Sequence, residues 1–460
     1  PRAVVILLGP SGVGKTYMAR SLAERLLGNA KRIKEIDCPQ ISQPHEFATL
    51  QGAPHGYIKS DEPPGLCQFN VDKGYLEQQA ENGEYFKQRR EGFEEQLADQ
   101  DKELAAVKAE LVEKTARRHS YAARQSELKA KPSAKLSEHD VELLDNFTER
   151  IKELDGEIKK LEEREKELSR LVDVSKQGAK WHLGVEKKSP QERLAIFRQN
   201  YCDRGDIEAY NNNPDPNAIS VVLFDEIERA YEGLQDMLLH IFNDGELQLR
   251  NGKTTNFRNS IIFLTSNLGS GEIRELLLGA RRATDGAIGF GFVGCSESVE
   301  VPSGSKLASC RDAIKGICLS EFVRHFSSAF VSRVVNRVCF QPLSFEDMMQ
   351  ILDCFIRDFN LGAGDSGQKS SARIPFILSV SEELRESIVR EACKHWEEGA
   401  RCIYHVFEER VLNALAPLVN GGIIQPYDQI FATISDDRVI FQRRKWLPPP
   451  GIHLLGSAKT

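Results

Sequence analysis

A glycine-rich stretch near the start of the chain has the spacing of a phosphate-binding loop. It fits the pattern G-x-x-x-x-G-K-[ST], in which a lysine and a threonine directly follow the second glycine. In such a loop the glycines let backbone N–H groups close around phosphates, and the following helix adds the positive end of its dipole. We expect the lysine to reach the β- and γ-phosphates and the threonine hydroxyl to bind Mg²⁺. The loop consists of Gly9, Pro10, Ser11, Gly12, Val13, Gly14, Lys15 and Thr16.

Two later segments carry the polar side chains that nucleotide hydrolysis needs beside such a loop. One apolar run ends in Asp225 and Glu226. We expect Asp225 to hold Mg²⁺ and Glu226 to polarise the attacking water. The next apolar run ends in Asn267, whose side chain is a candidate to orient the same water and to contact the γ-phosphate. A turn asparagine would account for the local sequence equally well.

A parallel sheet would bring these residues together. Three apolar runs, at 3–8, 220–224 and 260–265, are typical of buried parallel strands, and the first leads through the loop into a predicted helix at 15–27. Ligands of open α/β sheets bind at the carboxyl ends of the strands, where the loop, Asp225 and Asn267 are all expected. The predicted fold class is therefore α/β with a five-stranded parallel sheet.

A stretch of different composition separates the first apolar run from the other two. Residues from about 84 to 171 are dense in Glu, Lys, Arg and Ala, and their apolar residues recur at steps of three, four and seven. Lys131-Pro132-Ser133 divides the stretch into two arms, because proline cannot continue a helix. We predict an antiparallel coiled-coil hairpin, with a solvated linker as the alternative. Residues 172–212 are polar and are predicted to be irregular.

The predicted organisation has five parts. Residues 1–72 and 213–343 form the two halves of the sheet-bearing subdomain, and residues 73–212 are an insertion that contains the hairpin. Residues 344–445 form a mainly helical small subdomain, and residues 446–460 are a tail without a packing signal. Because Pro1 lies directly before a strand, we expect the natural polypeptide to continue upstream.

Composition excludes several classes of protein. A formal charge of −7 argues against a nucleic-acid partner, and no apolar run approaches the length of a membrane span. The ten cysteines include no C-x-x-C pair, which favours reduced thiols in the cytoplasm over a disulfide or zinc framework.

The motifs, taken in order, resemble the ATPase module of the Clp family of AAA+ proteins, and most closely the C-terminal module of ClpB-type disaggregases. The resemblance covers about two thirds of the chain, everything except the hairpin and the tail. It implies an AAA+ P-loop fold, ATP and Mg²⁺ as cofactors, and a homo-oligomeric ring, normally a hexamer. Beyond the loop, the segments that carry it are 222–230, 243–245, 257–259, 265–270, 330–333, 340–343 and 399–401.

The same resemblance assigns roles to arginines. Arg333 falls where the family carries the arginine finger that reaches the γ-phosphate of a neighbouring subunit. The family's acidic residue is missing after it, and Arg337, one helical turn further on, is the competitor. Arg401, in Gly-Ala-Arg, matches a second sensor that contacts ATP from the small subdomain.

Three segments resemble parts that face a substrate or a partner. Tyr57 lies on a glycine-flanked stretch similar to the first pore loop, which grips translocating polypeptide, and residues 244–253 take the place of a second. Ile288, Gly289 and Phe290 are similar to the tripeptide with which protease-partnered Clp unfoldases dock on a proteolytic ring, although packing on their own domain is the alternative. The hairpin is expected to bind a partner or a neighbouring subunit, or to brace the structure.

The predicted function is an ATP-driven protein remodeller that threads polypeptide through a ring pore. One alternative adds a protease ring, docked through Ile288, Gly289 and Phe290. Another is an assembly switch, in which ATP sets the state of the ring and the hairpin recruits a partner without threading.

Overall fold

Five parallel strands form the main sheet of the protein, whose computed structural model describes residues 1–52, 62–130, 138–201, 204–284, 304–361, 376–425, 428–435 and 438–444. The three central strands are the predicted apolar runs, and side chains such as Leu7, Phe224 and Leu264 are fully buried. The predicted α/β fold with a parallel sheet is confirmed. In order across the sheet, and numbered along the chain, the strands are β2 (Lys34–Asp37), β3 (Ser220–Asp225), β6 (Ser260–Ser266), β1 (Ala3–Leu8) and β7 (Asn336–Cys339).

The register of the sheet sets where the chain leaves each central strand. Leu8 of β1 lies beside Ser266 of β6, and Phe224 of β3 lies beside Leu264 of β6. The carboxyl ends of these three strands are therefore level. The phosphate-binding loop, the Asp225–Glu226 pair and Asn267 consequently emerge at one edge of the sheet, as parallel pairing requires.

Helices and one hairpin connect the strands of this sheet. Helix α1 (Lys15–Leu27) buries Ala19, Ala23 and Leu27 and is capped by Gly28, which has a positive φ of 75°. Two short 3-10 helices lie at Cys38–Ile41 and Ile227–Arg229, and strands β4 (Glu246–Gln248) and β5 (Thr254–Asn256) form an antiparallel hairpin. The α-helices are α1 (Lys15–Leu27), α2 (Pro44–Gln51), α8 (Gly233–Asp244), α9 (Ser270–Thr284), α10 (Gly304–His325) and α11 (Ser328–Arg333).

The C-terminal part of the chain combines helices with a second, small sheet. Met348, Leu352, Leu384, Ile388 and Ile403 bury the inner faces of its helices. The sequence does not predict strand β8, because its four residues are too few to show a period and its position depends on parallel pairing with β9. The elements are α12 (Phe345–Leu361), β8 (Ile377–Val380), α13 (Glu382–Ala392), a 3-10 helix (Cys393–Glu398), α14 (Ala400–Phe407), a π-helix (Glu408–Leu412), α15 (Asn413–Asn420), β9 (Gln429–Ser435) and β10 (Arg438–Arg444). Strands β9 and β10 are antiparallel.

Residues Tyr75–Ala209 form a separate compact unit built on two long helices. Helix α3 (Gln68–Asn82) leads into α4 (Glu84–Lys129), which lies antiparallel to α5 (Glu138–Glu186). Arg90 donates to Glu186 at 2.8 Å near one end, and Arg118 donates to Asp155 at 2.6 Å further along. Most seam residues between the arms are only half buried, as expected for two helices without a third layer, whereas Leu168 is fully buried. Despite their length, neither these nor any other described helix is apolar enough to cross a membrane.

The prediction that residues 172–212 are irregular is wrong. Helix α5 continues to Glu186, and α6 (Pro190–Asn200) and α7 (Arg204–Asn212) follow it. An aromatic cluster explains the difference, because Phe86 and Phe197 are fully buried and contact the rings of Tyr85, His182 and Tyr201. A few large side chains fix these helices within a polar sequence. The readable signal was the capping box at Ser189 and Glu192, with proline at the first helical position between them.

A buried aspartate lies where the chain leaves the sheet-bearing unit. That unit comprises residues up to Gly74 and from Tyr210 onward, so both crossings lie close to Asp72 in sequence or in space. One oxygen of Asp72 accepts hydrogen bonds from the Gln68 amide at 2.8 Å and from the Tyr210 hydroxyl at 3.0 Å. Asp72 is 2% exposed, and burial raises the pKa of its carboxyl from 3.8 to about 6. The protonated form is therefore favoured by folding.

Replacing Asp72 with asparagine is expected to change how stability depends on pH. In the wild type the folded pKa lies above the unfolded pKa, so this carboxyl contributes stability at low pH that is lost as the pH rises through about 6. Between pH 5 and pH 8 the loss amounts to about 1–2 kcal/mol. Asparagine keeps an oxygen for both donors but has no proton to lose. The free energy of unfolding, measured in urea at several pH values, should not show this loss in Asp72→Asn. Asp236→Asn, at an exposed position on α8, should show the same loss as the wild type.

Candidate functional site

The phosphate-binding loop connects the end of β1 to the first residue of α1, Lys15. Gly14 precedes the helix with a φ of 96°. Gly12 has a φ of 71°, and a Cβ atom there would lie 2.0 Å from the carbonyl oxygen of Glu398. Glycine is therefore required at position 12 by both the backbone conformation and the close approach. The loop ends on free N–H groups at the N-terminus of α1, where a phosphate group would be favoured.

Lys15 is buried on the inner side of the loop. Its ammonium group donates hydrogen bonds to the carbonyl oxygens of Gly9 at 2.7 Å and Pro10 at 2.6 Å, and to Oδ1 of Asn267 at 2.7 Å. Burial lowers the pKa of Lys15 to about 8, an effect that the nearby carboxylates of Glu228, Asp225 and Glu226 oppose. The amine is thus held at the sheet edge beside three negative charges.

Asp225 and Thr16 place hard oxygen ligands next to the loop. The Thr16 hydroxyl donates to the two carboxylate oxygens of Asp225 at 3.1 and 3.3 Å, and the Thr265 hydroxyl donates to one of them. In the described part of the chain, no group of three or more His, Cys, Asp and Glu side chains could hold a metal. A hydroxyl and a carboxylate suit Mg²⁺, which usually completes its octahedron with water and substrate phosphates.

Glu226 adopts an unusual backbone conformation at the end of β3. Its φ is 54°, the only positive value at a non-glycine residue in the described ranges. The Glu226 N–H donates to the Thr265 hydroxyl at 2.9 Å, and the Asn267 amide donates to Oε1 of Glu226 at 3.1 Å. A positive φ costs free energy at a non-glycine residue, and residues in such strained conformations cluster at functional sites. Arg229 forms an ion pair with the other oxygen at 3.1 Å.

Asn267 connects Lys15 of the phosphate-binding loop with Glu226 at the end of β3. Its side-chain oxygen accepts from Lys15 and its side-chain nitrogen donates to Glu226, while its own carbonyl oxygen accepts from the N–H of Ser270 at 3.3 Å. Asn267 therefore both closes a turn and reaches the loop. The turn role is thus present, and the role in orienting water stays a prediction.

The C-terminal part of the chain touches the loop directly. The N–H of Ala400 donates to the carbonyl oxygen of Gly12 at 3.0 Å, and Arg401 donates to the Ser11 hydroxyl at 3.5 Å. A cleft of about 490 Å³ opens between these elements, and its lining includes the loop from Ser11 to Thr16 together with Asp225, Glu226 and Asn267. Arg401 is exposed at its wall.

A second cleft of about 500 Å³ shares Val13, Ile351 and Cys354 with the first. Its walls include Phe340, Pro342 and Leu343, which offer apolar contact next to the phosphate-binding loop. The sequence did not predict this cleft, because its walls come from segments more than 300 residues apart.

Comparison with known proteins identifies the sheet-bearing part. Residues 1–71 and 193–336 match the family described as AAA domain (Cdc48 subfamily). The chaperone protein ClpB of Clostridium perfringens is 34% identical over 239 residues, which are 52% of this chain and 23% of that protein. These segments match an AAA domain and are similar to part of a Clp-type chaperone, and we call them the AAA+ module.

Other relatives of this AAA+ module have related names. The chaperone protein ClpD of Arabidopsis thaliana chloroplasts is 28% identical over 47% of this chain and 20% of its own length. The ATP-dependent Clp protease ATP-binding subunit ClpE of Lactococcus lactis is 25% identical over 50% of this chain and 25% of its own length. The chain therefore spans about a fifth to a quarter of the curated relatives that it matches. A solved S. cerevisiae Hsp104:casein complex is 15% identical with a TM-score of 0.49, covering 97% of this chain and 46% of that one.

The structure separates the two arginines that compete for the finger position of the AAA+ module. Helix α11 ends at Arg333, which is exposed and has no hydrogen bond or ion pair with any described residue. Arg337 is not one helical turn further on, as predicted, because the chain has by then entered β7. Its guanidinium donates to the carbonyl oxygens of Val334 at 2.9 Å and Val331 and lies over the ring of Phe322. Arg337 is thus held within its own subunit.

Some predicted parts of the AAA+ module lie outside the described residues. They are Tyr57 of the first pore loop, the tripeptide of Ile288, Gly289 and Phe290, and the tail at 446–460. The segment at the place of the second pore loop is described and includes β4.

Two residues of the site were not predicted from the sequence. Thr265 links Asp225 to the backbone of Glu226, and Glu228 accepts the N–H of Asn267 at 2.9 Å. Thr265 precedes the predicted Asn267 by two positions, and an acidic residue two positions after Glu226 was visible in the motif. Their roles depend on the pairing of β3 with β6, which the sequence alone does not give.

Proposed function

We propose that this chain hydrolyses ATP and uses the energy to remodel other proteins. The observation that supports this best is the hydrogen-bonded series Lys15–Asn267–Glu226 beside the Thr16–Asp225 pair. A candidate phosphate-binding cation, a candidate metal-binding pair and a candidate base thus lie close together at one edge of the sheet. The AAA+ module and its chaperone-named relatives agree with such an activity.

Each group has a defined task in the proposed hydrolysis. The loop N–H groups and Lys15 hold the β- and γ-phosphates, and Glu226 accepts the proton of the attacking water while Asn267 orients it. Thr16 and Asp225 would hold Mg²⁺, which when bound neutralises charge on the phosphates. Positioning and electrostatics account for most of the catalysis in such sites.

The proposed substrate is ATP, with its base in the second cleft. Val13, Leu343 and Ile351 offer apolar contact to the faces of a purine, directly beside the loop that would hold its phosphates. Arg401 reaches Ser11 from the small subdomain, so that nucleotide binding would be sensed on both sides of the cleft.

We further propose that the site is completed by a second copy of this chain in a hexameric ring. Arg333 is the better candidate for the arginine finger, because its guanidinium is exposed. The guanidinium of Arg337 is held by contacts within its own chain. A neighbouring guanidinium would stabilise charge on the transferred phosphoryl group. We place this ring in the cytoplasm, in keeping with the free thiols of the cysteines that the structure describes.

The proposed mechanical work is threading of polypeptide through the ring by Tyr57. ATP-dependent unfolding of a tagged fluorescent protein, measured together with the ATPase rate, tests this for the full chain. Tyr57→Ala is expected to lower unfolding by at least about tenfold with little change in ATP hydrolysis, since an aromatic grip is lost and the site is untouched. Tyr57→Phe, which keeps the ring, should retain unfolding.

The same assay separates the alternatives. If ATP is hydrolysed, nothing is unfolded and Tyr57→Ala changes nothing, threading is wrong and an assembly switch is favoured. If wild type degrades the substrate only with a proteolytic ring, and deletion of 288–290 abolishes this, the protease-partnered alternative is favoured.

A further inference from the structure

Glu228 has one engaged and one unengaged oxygen beside the nucleotide cleft. It lies in the short 3-10 helix Ile227–Arg229, which begins directly after Glu226. Oε1 accepts the backbone N–H of Asn267 at 2.9 Å. Oε2 is buried and has no hydrogen-bond partner among the described residues. Burying a carboxylate oxygen without a donor is costly, so retention of this side chain requires a reason beyond closing a turn.

Two carboxylates of one turn hold a single asparagine. Glu226 accepts from the Asn267 side chain at 3.1 Å, while Glu228 accepts from the Asn267 backbone. The remaining side-chain atom, Oδ1, accepts from Lys15 at 2.7 Å. Glu228 fixes the backbone N–H of Asn267, and Glu226 fixes its side-chain nitrogen. Asn267 therefore has one orientation, in which its side-chain oxygen faces Lys15.

The charge of Glu228 also acts within the cleft. Of the three carboxylates near Lys15, Glu228 exerts the largest favourable electrostatic effect on the ammonium group, ahead of Asp225 and Glu226. This gives Glu228 a connection to both Lys15 and Asn267 without contact with the site where the phosphates would lie.

We propose that Glu228 is a positioning residue, which fixes Asn267 between Lys15 and Glu226 for nucleotide hydrolysis. This inference rests on the proposed ATPase function. The effect is expected in the chemical step, because Asn267 aligns water only when nucleotide is already bound by the loop. A side chain that only closed the turn after β6 would instead affect the stability of the fold. The rate at which bound nucleotide is hydrolysed would then be unchanged.

Steady-state ATP hydrolysis by the full chain tests the proposal. Glu228→Ala is expected to lower kcat about 10–30-fold with KM changed less than about threefold. Glu228→Gln keeps an oxygen for the Asn267 N–H and should retain kcat within about threefold. In a double-mutant cycle, Glu228→Ala should cost little further on an Asn267→Ala background, because both variants remove the same alignment. Glu232→Ala, which removes an exposed carboxylate four positions on, is the matched control.

Several results would overturn the proposal. They are an unchanged kcat in Glu228→Ala, losses that multiply in the double variant, or a glutamine variant as impaired as the alanine variant. Binding of a fluorescent ATP analogue shows whether each variant keeps its site. If the alanine variant does not fold, Glu228→Asp takes its place, because its shorter side chain withdraws the oxygen from the Asn267 N–H and should lower kcat in the same way. A wild type that binds but does not hydrolyse ATP overturns the proposed function itself, whereas a hydrolysing wild type with an indifferent Glu228 overturns this inference alone.

Discussion

Replacing Glu226 with glutamine is expected to lower ATP hydrolysis by about 100- to 1,000-fold while ATP still binds. Glutamine matches glutamate in shape and can accept the same hydrogen bond from Asn267 through its oxygen. It cannot accept a proton, and loss of a positioned general base typically costs a factor of this order. Single-turnover release of phosphate gives the rate, and a fluorescent ATP analogue gives the affinity.

Glu232→Gln provides the comparison for this variant, because it removes a nearby exposed carboxylate from the start of α8. It should hydrolyse ATP at the wild-type rate. Hydrolysis by Glu226→Gln within threefold of wild type would remove Glu226 from the role of base and direct attention to another group in the cleft.

Replacing Lys15 with alanine is expected to weaken ATP binding by at least about 100-fold, or roughly 3 kcal/mol. The variant loses a buried cation at the position expected for the β- and γ-phosphates. It also leaves the carbonyl oxygens of Gly9 and Pro10 without the donor that now draws the loop together. Calorimetry with a non-hydrolysable ATP analogue measures the loss directly.

Arg25→Ala is the matched control for the lysine variant. Arg25 lies in the last turn of the same helix, α1, and is exposed to solvent, so its removal changes the net charge equally. Screening by salt makes its effect on a distant phosphate small. If Lys15→Ala and Arg25→Ala bound ATP equally well, the loop would not be the nucleotide site.

The sequence predicted the centre of the sheet and missed its edges for a physical reason. The strands β1, β3 and β6 are buried and consist of apolar runs that can be read directly. The edge strands β2 and β7 have only partial burial and carry charged residues such as Lys34 and Arg337. These segments can be recognised as strands only from their pairing with a neighbouring strand. For this reason the sequence analysis put Arg337 on a helix.

The site shows the same division between local and non-local information. Lys15 and Thr16 follow from one continuous motif, and Asp225 and Glu226 follow from the end of one strand. The bridging roles of Thr265 and Glu228 exist only because β3 lies beside β6, and the sequence contains no pattern for that adjacency. Likewise, the approach of Gly12 to Glu398 joins residues that are far apart in the chain.

The strand order also has a consequence for how the chain is made. Strand β1 pairs with β6 and β7, whose first partners, Ile261 and Asn336, are synthesised about 250 and 330 residues later. A ribosome that adds about 5–20 residues per second reaches Ile261 roughly 13–50 s after β1 is complete. The pairs between α4 and α5 are closer in sequence, with a separation of 37 residues for Arg118 and Asp155 and of 96 for Arg90 and Glu186, and can form much sooner. A nascent chain would thus display a finished helical hairpin while its apolar first strand, a segment prone to association, still waits for a partner. Protecting that strand during translation would fall to the chaperones of the host cell.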